Sequence, residues 1–93
     1  MSETTSVNVL VFGLVQGVFF RVFTRRQAEA LDLTGYVRNM SGGVVEAFAE
    51  GNKEKLKQFI SRLKTGPPGS KVERLEITWK EYSCRFNNFT IRY

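Results

Sequence analysis

The sequence predicts a small α+β sandwich, an antiparallel sheet with two helices on one of its faces. Three observations carry this. Two segments, 22–32 and 53–64, repeat their apolar residues at helical spacing, and the segments around them have strand character. The elements follow one another as β-α-β-β-α-β, with a short extra strand at the end. A chain of 93 residues, 42% hydrophobic and 25% charged, can bury one core but not two.

Residues 1–6 are polar and lack the basic-then-apolar order of a secretory signal, so they are expected to form a flexible N-terminal tail to a domain at 7–93. The first strand, 7–12, has β-branched residues at 7, 9 and 11 and bulky Leu10 and Phe12 between them, as a central strand does. In the first helix, 22–32, Thr24, Ala28 and Leu31 share a face that Phe20 and Phe23 extend, while Arg25, Arg26, Glu29 and Asp32 look outward. Strand two spans 35–39 and leads into the turn residues Met40-Ser41-Gly42-Gly43. Strand three, 44–50, alternates Val45, Ala47 and Ala49 against Glu46 and Glu50. Asn52 is placed to cap helix two, 53–64, where Leu56, Phe59, Ile60 and Leu63 form the strongest periodic face in the chain. Gly66-Pro67-Pro68-Gly69 stops it. Strand four covers 72–82, with Leu75, Ile77 and Trp79 on one side, and a closing strand covers 89–93.

This order folds as a ferredoxin-like pair of interleaved βαβ units. Right-handed crossovers make strands one and two parallel, with strand three between them. The carboxyl ends of strands one and two then share one sheet edge. That brings the loop ending in Arg21 toward Asn39, although eighteen positions separate them in the chain.

The composition narrows the chemistry. There is no histidine, which removes the commonest general base and metal ligand. Cys84 is the only cysteine, so there is no intrachain disulfide or cysteine-rich metal site, in keeping with the cytoplasm. No apolar run approaches the roughly 18 residues of a membrane span. The formal charge of +5 suits an anionic partner, and equally suits a protein that is merely kept soluble.

In the loop Gly13-Leu14-Val15-Gln16-Gly17-Val18-Phe19-Phe20-Arg21, N–H donors run from Val15 to Arg21 without a proline. They end at a helix start, where backbone N–H groups are unpaired and the dipole is positive. A guanidinium beside them makes a plausible seat for a tetrahedral anion. The loop is neither a Walker loop nor a dinucleotide fingerprint, and a glycine turn between strand and helix is also an ordinary connection. Asn39 reads two ways as well. Asparagine is common before a turn, yet its amide can hold a water and aim it.

Gly13 to Arg21 resembles the first signature of the acylphosphatases, and Gly35-Tyr36-Val37-Arg38-Asn39 with Gly43, Val45 and Gly51 resembles the second. Gly66-Pro67-Pro68 and the terminus Phe89-Thr90-Ile91-Arg92-Tyr93 extend the likeness along nearly the whole chain. It implies a stand-alone, monomeric cytoplasmic enzyme that hydrolyses a small acyl phosphate to a carboxylate and inorganic phosphate, with no metal or organic cofactor. By the same likeness Arg21 binds the phosphoryl group. The amides of Gln16, Gly17, Val18, Phe19, Phe20 and Arg21 form its cradle, and Asn39 positions the attacking water. Inorganic phosphate, as product, is expected to inhibit. Leu14 stands where the family often carries a cation, and Phe19 occupies a variable position. The missing histidine fits this substrate. A carboxylate leaving group has a conjugate acid of pKa about 4–5 and departs at neutral pH without a proton donor.

Two alternatives share the fold. One is an RNA-binding module, which would stack bases on sheet aromatics such as Phe12 and Phe48, although Glu46 and Glu50 on that face oppose it. The other is a carbamoyl-phosphate-handling or regulatory domain.

Overall fold

The computed structural model describes residues 3–93. Its elements are β1 (Thr4–Leu14), α1 (Phe20–Ala30), β2 (Thr34–Asn39), a 3-10 turn (Ser41–Gly43), β3 (Val45–Asn52), α2 (Lys53–Thr65), β4 (Lys71–Lys80) and β5 (Phe89–Arg92). The sheet order is β4-β1-β3-β2-β5. Pairings are antiparallel except β2 with β5, which is parallel, so the expected antiparallel sheet is mixed at one edge. No helix among the described residues is long and apolar enough to cross a membrane.

The core lies between the sheet and the two helices. Val7, Val9 and Val11 of β1 are fully buried beside Val45, Ala47 and Ala49 of β3. Leu56, Phe59 and Leu63 of α2 and Ala28 of α1 close over them, again with no exposure. The small alanines let the helices approach the sheet. Asn52 caps α2 as expected, its Oδ1 accepting from the N–H groups of Glu54 and Lys55 at 2.9 and 3.1 Å.

Four expectations need correction. The strand expected from residue 7 begins at Thr4, and Ser6, assigned above to the flexible tail, is fully buried; Met1 and Ser2 lie outside the described residues. Helix one starts two residues early, at Phe20, because Phe19 turns left-handed (φ 59°) and sets the helix start there. It also ends at Ala30 rather than at Asp32, whose φ of 57° is left-handed. Strand four ends at Lys80 rather than 82.

The fourth correction concerns the sheet face away from the helices, which is covered rather than open. The segment between β4 and β5 crosses it. Phe86 packs on Tyr36 and Phe48, with ring centroids 5.9 and 5.6 Å apart. Glu46 and Glu50, which alternation placed outward, are both buried. Glu46 accepts from Arg38 at 2.6 Å and Asn8 at 3.1 Å. One Glu50 oxygen accepts from the Ser6 hydroxyl at 2.6 Å, the Ser83 N–H at 2.8 Å and the Ser83 hydroxyl. Burial pushes the Glu50 carboxyl up, but these hydrogen bonds to its charged form outweigh burial and hold it below its ordinary pKa. Phe48 is thus stacked from within, and the Arg74 guanidinium lies 3.9 Å from the Phe12 ring centre. Neither ring offers a bare platform for bases.

Candidate active site

The loop between β1 and α1 is shaped by two left-handed residues. Gly17 (φ 74°) adopts this backbone freely. Phe19 (φ 59°) does so against the steric preference of an L side chain, at a cost of about 1–2 kcal/mol. No side chain caps α1. The first helical N–H groups, at Phe20, Arg21 and Val22, have no intrahelical acceptor by geometry, and they sit at the positive end of the helix dipole.

These groups border a cavity of about 330 Å3 lined by Val15, Gly17, Phe19, Phe20, Arg21, Val22, Asn39, Ile91 and Tyr93. Arg21 and Asn39 therefore share one wall-to-wall space, as the crossover topology requires. The Arg21 guanidinium is held from the β5 side. Its Nη1 donates a long hydrogen bond, 3.4 Å, to the Arg92 carbonyl, and the group lies 4.7 Å from the centre of the Tyr93 ring. Both contacts leave most of its five donors free. Asn39 is the last residue of β2, pairs with Val45 across the ladder, and is exposed.

Of the six residues expected to cradle phosphate, Gly17, Phe19, Phe20 and Arg21 line the cavity. Val18 instead packs its side chain against the core. The Gln16 side chain has a different part. Its Nε2 donates to the carbonyls of Met40 at 2.9 Å and Val44 at 3.0 Å. Met40 N–H in turn donates to Val44 O at 2.7 Å, closing the turn that follows Asn39. Gln16 thus ties the cradle loop to the segment that carries Asn39. Sequence reasoning missed Val15, Val22, Ile91 and Tyr93 in the lining. The alternation of Phe89, Ile91 and Tyr93 was the available signal, but it is silent on which edge β5 joins.

Fold and cavity define the class: a ferredoxin-like α+β domain whose cleft gathers free amides, one guanidinium and one carboxamide at the ends of two parallel strands. The acylphosphatase family model matches residues 7–91. An acylphosphatase of Dehalococcoides mccartyi is 42% identical over 88 residues, covering 94% of this chain and 97% of its own. One from Syntrophotalea carbinolica is 46% identical over 87 residues, at 94% and 95% coverage. The crystal structure of the Bacillus subtilis acylphosphatase superposes with a TM-score of 0.93 at 36% identity, covering 96% of this chain and 99% of that one. The chain belongs to the acylphosphatase family, and it is a hydrolase of acyl phosphates. The same domain recurs inside a larger protein. Full-length HypF, solved in its phosphate- and nucleotide-bound form, matches all of this chain over 12% of its own, with a TM-score of 0.89 at 29% identity.

Proposed function

We propose that Arg21 and Asn39 carry the hydrolysis, Arg21 with the amides of the 16–21 loop holding the phosphoryl group and Asn39 aiming the water. The observation that supports this most directly is their convergence on one cavity whose only charged lining side chain is Arg21. A phosphoryl group spreads its charge over peripheral oxygens, and a guanidinium fork with unpaired helical N–H groups matches that distribution. The Asn39 carboxamide accepts a hydrogen bond from the water, and the water's oxygen attacks phosphorus as the bond to the acyl oxygen breaks. The leaving carboxylate takes the electron pair of that bond. The water's proton passes to a phosphoryl oxygen, so no enzyme base is required. Positioning and charge stabilisation suffice where the transition state is loose. The substrate is a small acyl phosphate, inorganic phosphate inhibits competitively, and the chain acts as a cytoplasmic monomer.

The test is phosphate release from acetyl phosphate by the wild type, Arg21→Gln and Asn39→Ala. Arg21→Gln is expected to abolish turnover, and Asn39→Ala to lower kcat far more than it weakens inhibition by phosphate. Near-normal kcat in Asn39→Ala would sink the water-positioning role. A pH–rate profile showing an essential enzyme base near neutrality would contradict the proton route.

A further inference from the structure

β4 is an edge strand. Among the described residues no strand pairs with its far side, so one row of its N–H and C=O groups has no strand partner. Proteins usually blunt such an edge with charge or by keeping it short, because a bare one invites another chain. β4 is ten residues long, and its register shift falls beside Glu73, which leaves Arg74 to Lys80 in regular pairing. Its charges stand on the outer sheet face and at the ends. Arg74 and Glu76 pair with each other at 3.2 Å, and Lys71 and Lys80 close the strand. The helix side is different. Leu75, Ile77 and Trp79 stand opposite the buried Val11, Val9 and Val7 of β1, so they point toward the helix layer. The helices leave them partly uncovered, and Ile77 and Trp79 are each 42% exposed.

Between this strand and α2 runs a groove of about 460 Å3, larger than the active cavity. Ile60 and Lys64 form one wall, and Val72, Glu73, Leu75 and Ile77 the other. At roughly 30 Å3 per water-sized group it has space for about fifteen such groups, or about three aliphatic side chains. From Val72 to Ile77 the strand runs about 17 Å, enough for an added strand to present about three residues to one face. The charges around the groove are mostly positive. Lys64 is exposed on the helix wall, Lys71 and Lys80 stand at the strand ends, and the Lys53 ammonium lies 5.7 Å from the centre of the Trp79 ring. Glu76 is taken by Arg74, which leaves Glu73 as the one acid of β4 without an ion pair among the described residues. A second copy of β4 would bring its own terminal lysines to ends that are already cationic. An acidic segment meets them with opposite charge.

We propose that β4 and this groove form a docking site for an extended, acid-flanked segment of a partner protein. The segment adds to the sheet beside β4 and seats alternate aliphatic side chains against Ile60, Leu75 and Ile77. Main-chain hydrogen bonds to the free edge supply affinity, while the groove and its lysines select the sequence. β4 and β5 are opposite edges of the sheet, and the groove shares no residue with the active cavity. A docked partner therefore leaves the cavity open. The site serves to place the enzyme on its partner, not to change its turnover.

The test follows the fluorescence anisotropy of a labelled peptide titrated with the whole protein. In the peptide, valines alternate with threonines and a pair of aspartates stands at each end. The expected result is saturable binding. Ile77→Glu puts a carboxylate in the groove and should weaken binding at least about tenfold. Lys64→Glu should weaken it about threefold and flatten its dependence on salt. Both variants should hydrolyse acetyl phosphate as the wild type does, which shows that they are folded. A peptide of the same composition with its valines contiguous should bind at least about tenfold more weakly, because only alternation presents them all to one face. Two N-methylated peptides, blocked on alternate amides in the two possible phases, separate strand addition from mere filling of the groove. One phase should abolish binding and the other preserve it. Absence of saturable binding, equal binding of the contiguous-valine peptide, or equal effects of the two N-methylated phases would each overturn the proposal. So would a dimer of the chain, seen by light scattering and abolished by Ile77→Glu, which assigns the edge to a second copy. If Ile77→Glu also loses turnover, Lys64→Glu and the N-methylated pair decide.

Discussion

Gln16 is the residue whose replacement tests the site's construction most sharply. Gln16→Met keeps the length and much of the shape of the side chain but removes both donors to Met40 O and Val44 O. Two neutral hydrogen bonds have a net worth of about 1–3 kcal/mol together. The Val44 carbonyl keeps the Met40 N–H, so the turn persists while its tie to the cradle loop is cut. A misalignment of Asn39 costing about 1.4 kcal/mol, well within that range, lowers kcat tenfold. The assay is steady-state acetyl phosphate hydrolysis, with inhibition by inorganic phosphate measured alongside. In the wild-type background kcat should fall about tenfold, while phosphate affinity changes by less than about threefold. In an Asn39→Ala background the aimed water is already lost, and Gln16→Met should have less than about twofold further effect. A double-mutant cycle isolates this coupling. Strictly additive effects on kcat would show that Gln16 acts on the cradle or the fold and not through Asn39.

Other consequences are as concrete. Arg21→Lys keeps the charge and loses the planar fork, and losing about 2.7 kcal/mol of charged hydrogen bonding should lower kcat/KM on acetyl phosphate about a hundredfold; activity within tenfold of wild type would refute bidentate recognition. Glu50 has a folded-state pKa below its ordinary value, so its stabilisation is present above the ordinary carboxylate range and is lost as pH falls through the folded value. Denaturant midpoints followed from neutral to acid pH should therefore drop more steeply in the wild type than in Glu50→Gln, and identical slopes would refute the assignment. Asn52→Ala removes the cap on two α2 amides and should cost about 1 kcal/mol, lowering Tm by about 4–8 °C in calorimetry.

The parts of this architecture legible in the sequence are those that repeat. Leu56, Phe59 and Leu63 announce α2 because a helix buries one stripe, and Val45, Ala47 and Ala49 announce the inner face of β3 because a strand buries alternate residues. Arg21 and Asn39 were legible together because handedness leaves few ways to connect parallel strands. What escaped has no period. The connection over the outer sheet face, anchored by Ser83 on Glu50, is irregular, so alternation alone sent Glu46 and Glu50 to solvent. The Gln16 brace ends on two backbone carbonyls, and carbonyls leave no trace in a list of side chains. The left-handed backbone of Phe19 escaped as well, because a left-handed phenylalanine contradicts the propensity on which such readings depend.

The pairing of β5 beside β2 has a kinetic meaning. The cavity takes residues from the first loop, from the end of β2 and from the last strand, and the Arg21–Arg92 contact alone joins positions 71 apart. Pairings that close a long stretch of chain are slow to form, because chain closure precedes the contacts that reward it. Helix formation and collapse of the β1–β3 core can proceed while the cavity is still missing its Ile91 and Tyr93 side. Recovery of hydrolysis during refolding therefore requires the docking of the final strand, and turnover reports when that strand is in place.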